Sequence, residues 1–445
     1  MEPVTLSPAQ VHPVLRHSIL VDGFPIVLDL EASKGCDLVD AVTGDHYLDL
    51  FGFFGSNALG MNHPRLADPA VVAELGRIAV HKPSNSDVYT VAMAEFIETF
   101  RRVLGDPRLP HLFFIEGGGL AVENALKAAF DYKSRLNESR GLSPDLGTRV
   151  LHLRYAFHGR TGYTMSLTNT DPTKTARFPK FDWPRISSPY LGSYADGRPR
   201  PVEQLEREAL AEAEQAFAKY GPDIACFIVE PIQSEGGDHH FRPEFLQAMQ
   251  DLVHRNDALF IVDEVQTGVG MSGSKWAYQQ LGLQPDVVAF GKKTQVCGVM
   301  AGGKVDEVAD NVFEVSSRIN STWGGNLTDM VRARHILEVI ESDGLVERAA
   351  ETGQWLLAEL EDLARRQPLV SNPRGRGLLC AFSLPDTATR NILLKELAAR
   401  KVLILGCGDR SVRFRTPLTV TREELRRGLD AIDETLAVLT PASVI

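Results

Sequence analysis

The sequence predicts an α/β protein: a large domain with a mostly parallel central sheet, joined to a smaller α+β lobe. Three observations carry this expectation. Between about residues 110 and 325, short β-rich runs alternate with helical stretches, the order that builds a sheet covered on both faces. The runs themselves ("HLFFI", "RVLHLRYA", "DIACFIVEPI", "ALFIVDEV" and "DVVAFG") are largely apolar, as strands buried on both faces are. Two of them stop abruptly, one in Asp263 and the other just before Lys292, which brings an anion and an amine to one sheet edge, where open α/β sheets keep their ligands.

The remaining elements follow along the chain. The first 50 residues read as a small antiparallel piece with a turn at Thr43 and Gly44. "LAVENALKAAFDYKSRLNE" places Ala121, Ala125, Ala128, Ala129 and Tyr132 at helical spacing. The Pro- and Gly-rich stretch from about 170 to 205 is expected to be irregular. Residues 327 to 366 read as a long helical region. The tail gives strand "GLLCAFSL", helix "TATRNILLKELAARK", strands "KVLIL" and "SVRFR", and a last helix whose Thr421 and Glu424 fit a capping box. The expected division is 1–60 with the small lobe, 61–326 as the large domain and 327–445 as the C-terminal small domain.

Composition narrows the function classes. Across 445 residues, 44% are hydrophobic and 24% charged, the balance of an ordinary globular enzyme. No apolar run approaches the roughly 18 residues of a membrane span, and "MEPVTLSPAQVHPVLRHS" lacks the basic head and apolar stretch of a secretory signal. The five cysteines are scattered and read as reduced thiols of a cytoplasmic protein, with no zinc spacing. A net charge of −11 argues against non-specific nucleic-acid binding, which needs cations facing phosphates. Small molecules are the expected partners.

The chemistry-bearing residues cluster at strand ends. A lysine amine and a carboxylate at one sheet edge are what pyridoxal 5'-phosphate requires: the amine condenses with the aldehyde and the carboxylate keeps the pyridine nitrogen protonated. Lys293 stands beside Lys292, but Lys292 comes directly after Gly291, where the chain leaves the strand. Gly117, Gly118 and Gly119 follow "HLFFI" and open a helix, a place for a phosphate or simply a tight turn. Phe157, next to His158, could stack on a planar cofactor or belong to the core. Arg160, leaving the same strand end, suits a carboxylate. Glu230 and Glu235 follow the third strand and Gln266 lies three residues past Asp263; either glutamate could be a solvated loop acid. Thr322, in "STWGGN", offers a hydroxyl ahead of a helix. Either Arg413 or Arg415 is expected to face inward.

Together "EGGGLAVENALK", "FHGR", "VEPIQSEGG", "DEVQTG", "FGKK", "STWGGN" and "VRFRTPL" resemble, in order and over nearly the whole chain, the class III, ω-amino-acid branch of the PLP-dependent aminotransferases of fold type I. Within it, residues 82–87, "LTNTDPTKTARFPKFDWPR" and "FGKKTQVCGVMAG" are most similar to the members that take L-lysine as donor and 2-oxoglutarate as acceptor. The resemblance implies that Lys292 carries the cofactor and Asp263 faces its ring nitrogen. It further implies that Gly118 and Gly119 hold the phosphate, Phe157 stacks on the ring and Gln266 lies near its 3-hydroxyl. Thr322 would reach the cofactor of the neighbouring subunit, with Asn320 close by, which makes a homodimer the minimal unit. Arg160 and Arg413 would take substrate carboxylates, with Glu235 as partner of Arg413. Other ω-amine donors, such as ornithine, 4-aminobutyrate or diaminobutyrate, are the alternative. The chain departs from the branch at Gly117–Leu120, where many members have Ser-Gly-x-Glu, so a serine donor to the phosphate is absent.

Overall fold

The computed structural model describes residues 4–439; residues 1–3 and 440–445, at the ends of the expected 1–60 and 327–445 segments and of the stretch read for a signal, lie outside the described residues. Near the N-terminus, β1 (Asp37–Val39) and β2 (His46–Asp49) form the expected antiparallel hairpin. Its turn is closed by Thr43 Oγ1 donating to Asp40 Oδ2 at 2.9 Å, with Gly44 at φ +74°, a conformation glycine adopts without a Cβ penalty.

The large sheet uses β3 (His111–Ile115), β4 (Arg149–Leu153), β5 (Arg185–Ile186) and β6 (Ile224–Val229). After a short hairpin, β7 (Ile232–Gln233) with β8 (His239–His240), come β9 (Leu259–Asp263), β10 (Val287–Phe290) and β11 (Cys297–Ala301). The spatial order is β3-β11-β10-β9-β6-β4-β5. Strands β5, β4, β6, β9 and β10 run parallel. Strand β11 is antiparallel to β10 and to β3, and the sequence reading did not anticipate it. Only six residues separate β10 from β11, too few for the crossover a parallel neighbour needs, so the chain turns straight back.

Alternation along the strands separates two cores. Leu259 and Ile261 of β9 pack with Ala121, Ala125 and Ala129 of the helix Gly118–Ser139, whose small residues let it lie close to the sheet. Phe260 and Val262 face the other way, toward Phe245, Met249 and Trp276. With both faces covered, β6, β9 and β10 are apolar along their length, and in β9 the polar residue, Asp263, stands at the carboxyl end. The stretch from about 170 to 205 is irregular as expected, holding a single helical turn, Pro172–Lys174, and the two-residue β5 before the helix Val202–Tyr220.

In the C-terminal part, β12 (Ser371–Arg376), β13 (Leu379–Ser383), β14 (Val402–Leu403), β15 (Leu405–Cys407) and β16 (Ser411–Arg413) follow. Four of these form an antiparallel sheet in the order β12-β13-β16-β15. The run "KVLIL", expected as one strand, is divided: β14 pairs in parallel with β2, tying the chain's two ends together, and β15 joins β16. The long helical region 327–366 is likewise two helices, Leu327–Ser342 and Leu345–Arg366, broken at Gly344, whose φ of +59° a helix cannot continue through. The capping box is present: Thr421 N and Oγ1 donate to Glu424 Oε2 at 2.7 and 2.8 Å, and Glu424 N returns a bond to Thr421 Oγ1. All five cysteines are free and buried, and among the described residues no helix is long and apolar enough to cross a membrane.

Gly298 in β11 is fixed by close approach, since a Cβ there would lie 2.2 Å from the Phe113 carbonyl oxygen of β3. Gly298→Ala is expected to lower the unfolding free energy by about 1–3 kcal/mol, the usual cost of overpacking, read as a shifted denaturant midpoint at constant slope. An unchanged midpoint would mean that β3 and β11 do not meet in this register.

Candidate active site

The carboxyl ends of β3, β4, β6, β9 and β10 converge on a cavity of about 670 Å³ that also receives Arg413 from the small sheet. Lys292 enters it two residues beyond β10, its backbone turned by a φ of +55°. Of the two adjacent lysines only Lys292 lines the cavity. Lys293 is buried, and its Nζ donates to the carbonyls of Gln266 at 3.0 Å and Gly55 at 3.2 Å. Burial, with the positive charges of Arg413 and Arg415, lowers the Lys292 amine to about 8. A neutral amine, able to act as nucleophile or base, is therefore a minor form near neutrality but far more populated than in an ordinary lysine.

Asp263 ends β9 and is buried. Its Oδ1 accepts from Val265 N at 3.0 Å, and its Oδ2 lies 2.8 Å from Nδ1 of the buried His158. An ionised carboxylate only accepts, so Nδ1 donates in this contact, while the His158 Nε2 is buried without a hydrogen-bond partner. His158 thus fixes the orientation of Asp263, a role the sequence reading did not give it. Glu230 is fully buried and is not the solvated loop acid left open by the sequence. Its Oε1 accepts from Phe157 N at 2.9 Å and its Oε2 from Ser234 N at 3.1 Å, so it braces the backbone that presents Phe157. Burial, reinforced by the charge of Asp263, holds the Glu230 carboxyl well above the usual carboxylate range.

Gly117 to Gly119 also line the cavity, where the helix Gly118–Ser139 begins. Gly117 has φ +101°, and a Cβ on Gly118 would stand 2.8 Å from Val265 Cγ1. The first turn leaves N–H groups without helical partners, an anion site in waiting.

The small sheet supplies cations. Arg413 and Arg415 are both almost fully buried, which corrects the expectation that one or the other faces inward: Arg415 lies beyond the end of β16, and both side chains reach Gln266 Oε1. Arg415 pairs with Asp238, its Nη1 3.0 Å from Oδ2, and its Nε donates to Gln266 Oε1 at 2.6 Å. Arg413 lines the cavity, with Nη2 2.6 Å from Glu235 Oε2 and Nη1 3.4 Å from Gln266 Oε1. The other oxygen of Glu235, Oε1, takes Lys174 Nζ at 2.5 Å. Burial raises the Glu235 carboxyl, but the charges of Arg413 and Lys174 outweigh it and leave it below its ordinary value.

Arg160 is exposed at the cavity's edge and has no hydrogen-bond or ion-pair partner among the described residues. Phe157 and Phe54 also line the cavity, Phe54 being 52% exposed. Thr322 and Asn320 do not join this group. They are exposed on a segment pinned to residues 82–86 by Ser86 Oγ on Ser321 O at 2.7 Å and by Lys82 over the Trp323 ring at 3.8 Å. Lys174 and Asp238 were missed. Lys174 lies in the irregular stretch, where no periodicity marks a residue, and it meets Glu235 only through the fold.

The donor set fits a phosphorylated pyridine aldehyde: an amine, a buried carboxylate held in place by a histidine, an aromatic face and a glycine-cradled helix start. The family model of the class III aminotransferases matches residues 21–436. The chain is 63% identical over 437 residues to L-lysine-epsilon aminotransferase of Mycobacterium tuberculosis, covering 98% of this chain and 97% of that one. It is 59% identical over 432 residues to the protein of the same name from Amycolatopsis lactamdurans, covering 96% and 95%. Among solved structures, lysine aminotransferase from M. tuberculosis in the internal aldimine form superposes with a TM-score of 0.95 at 62% identity, covering 98% of this chain and 100% of that one. The chain belongs to the class III aminotransferases, enzymes of fold type I that depend on pyridoxal 5'-phosphate.

Proposed function

We propose that the protein transfers the ε-amino group of L-lysine to 2-oxoglutarate, giving 2-aminoadipate 6-semialdehyde, which cyclises to piperideine-6-carboxylate, and L-glutamate. The names of the relatives support the donor. The observation that carries the reading is Glu235, bound to Arg413 at 2.6 Å, while Arg160 stands without a partner at the edge of the same cavity.

One cavity must accept first a donor whose reacting carbon bears no carboxylate, then an acceptor whose reacting carbon does. With L-lysine bound, Glu235 stays on Arg413 and Arg160 takes the distant carboxylate. With 2-oxoglutarate, Glu235 moves aside and Arg413 takes the α-carboxylate in a two-pronged contact. A buried guanidinium left without an anion is strongly destabilising, so one of the two anions always faces Arg413.

The bound cofactor supplies an electron-accepting ring that stabilises negative charge at the carbon losing its proton. Asp263, oriented by His158, would keep the ring nitrogen protonated. Gly118 and Gly119 would hold the phosphate through backbone N–H groups, Phe157 would stack on the ring and Gln266 would lie near the 3-hydroxyl. The Lys292 amine, when neutral, would serve as the base for the proton on the substrate carbon that bears the nitrogen, and as its carrier. Thr322 and Asn320, exposed and apart from their own cavity, are suited to reach the partner's site in a homodimer. Five buried free thiols accord with a cytoplasmic setting.

The direct test is a panel of amino donors offered with 2-oxoglutarate to the purified holoenzyme. L-lysine should be the best donor by kcat/KM and turnover should require the keto acid; preference for ornithine or 4-aminobutyrate would replace the donor assignment. Glu235→Ala should slow the single-turnover half-reaction with L-lysine by about tenfold or more beyond any loss with L-glutamate, and equal losses would count against the switch. Cofactor capture by apoprotein needs the neutral Lys292 amine. Because burial and the arginines lower that group to about 8, the capture rate should climb as pH rises through about 8 and then level. A rate still climbing past about pH 10, where an ordinary lysine titrates, would contradict this, and Lys292→Ala should abolish the absorbance change.

A further inference from the structure

We propose that Lys174 is the counter-cation that receives Glu235 when Arg413 turns to the acceptor's α-carboxylate, making it a positioning residue for the acceptor half-reaction. The inference rests on the switch reading of Glu235.

The two oxygens of Glu235 are claimed separately, Oε1 by Lys174 Nζ at 2.5 Å and Oε2 by Arg413 Nη2 at 2.6 Å. The two cations differ in mobility. Arg413 ends a strand and its side chain is 2% exposed, whereas Lys174 lies on the short turn Pro172–Lys174 and its side chain is 25% exposed. That turn is set by Asp171, whose Oδ1 accepts from Thr173 N at 2.9 Å, so the base of Lys174 is fixed while its four-carbon stem can follow a moving carboxylate. The ammonium also lies 5.3 Å from the centroid of the Phe157 ring, on the cavity side. The three groups thus form a row, cation–anion–cation, with one positive charge in excess.

This excess matches the acceptor. When an α-carboxylate arrives, it takes Arg413 and Glu235 keeps Lys174: two anions on two cations, with none left buried alone. Without Lys174, a displaced Glu235 would be an unpaired carboxylate in a largely buried site and would stay on Arg413, competing with the substrate. With L-lysine, Glu235 never leaves Arg413, and Lys174 is needed less.

The test compares wild-type holoenzyme with Lys174→Met, Lys174→Arg, Glu235→Ala and the Lys174→Met/Glu235→Ala double variant. Two readouts apply: single-turnover half-reactions with L-lysine and with L-glutamate, and calorimetric binding of glutarate, an unreactive dicarboxylate. Lys174→Met should weaken glutarate binding and raise the L-glutamate concentration needed for half-maximal rate, each by about tenfold more than it alters the L-lysine reaction, the scale of one charge-assisted hydrogen bond. Lys174→Arg should restore most of both, and Lys174→Met should add nothing further once Glu235 is Ala. Equal losses with both amino acids would mean a merely structural lysine. A loss confined to L-lysine would mean that Lys174 grips the donor, and additive losses in the double variant would mean that it acts without Glu235; each overturns the proposal. A Glu235→Ala variant that slows both halves alike sinks the switch itself, whereas one that separates them while Lys174→Met does not sinks only the role of Lys174.

Discussion

A parallel sheet buried on both faces leaves little room for polar side chains along its central strands, and this constraint fixes where chemistry can occur. In β9 the residues before Asp263 are entirely buried, as are those of β10 before Lys292. The first places where a carboxylate and an amine find room are the strand ends, and parallel strands end on one side. The antiparallel β11 contributes from the opposite sense, its first residue, Cys297, reaching the same cavity. Asp263, Lys292, Phe157 and the three glycines, spread over some 175 positions in sequence, are neighbours for that reason.

Convergence alone would produce an unstable concentration of charge. Lys292, Arg413, Arg415 and Lys174 gather within a few residues of one another in space, and each is answered differently. Arg415 is neutralised permanently by Asp238, where both side chains are fully buried, and that pair holds the small sheet against the hairpin that follows β6. Lys292 is made less basic by burial and by repulsion from the two arginines. Arg413 and Lys174 share the single carboxylate Glu235. Of these arrangements only the last can change hands, because one of its members has partial access to solvent and a flexible stem. The rigid pair positions the site, and the shared carboxylate gives it two states.

Legibility in the sequence followed the range of the interactions. The strands, the helix behind the glycine turn and the capping box at Thr421 and Glu424 were readable, because periodicity and capping act over a few residues. The same locality explains the errors. "KVLIL" reads as one strand, yet Val402 and Leu403 pair with β2 more than 350 positions earlier, a choice made by partners that no local pattern encodes. Strand β11 went unseen because its short apolar run follows a functional loop without turn signals. In the site, Asp263, Lys292 and Glu235 stand at recognisable strand ends. His158 was visible in "FHGR", but its task is defined by Asp263, 105 positions away, and Lys174 by Glu235, 61 positions away. Arg413 and Arg415 both turn inward because the strand ends at Arg413 and the chain beyond it carries Arg415 to Gln266 and Asp238, a long-range choice that local spacing does not encode.

The central claim is that the strand edge presents Lys292, and not its neighbour, to the cofactor beside Asp263. The most direct measurement is borohydride reduction of the holoenzyme followed by proteolysis and mass mapping of the peptide from Val287 to Gln295. The structure predicts a stable pyridoxyl phosphate adduct on the Lys292 amine, since the Lys293 amine is committed to the carbonyls of Gly55 and Gln266. An adduct on Lys293, or none on this peptide, would contradict the account.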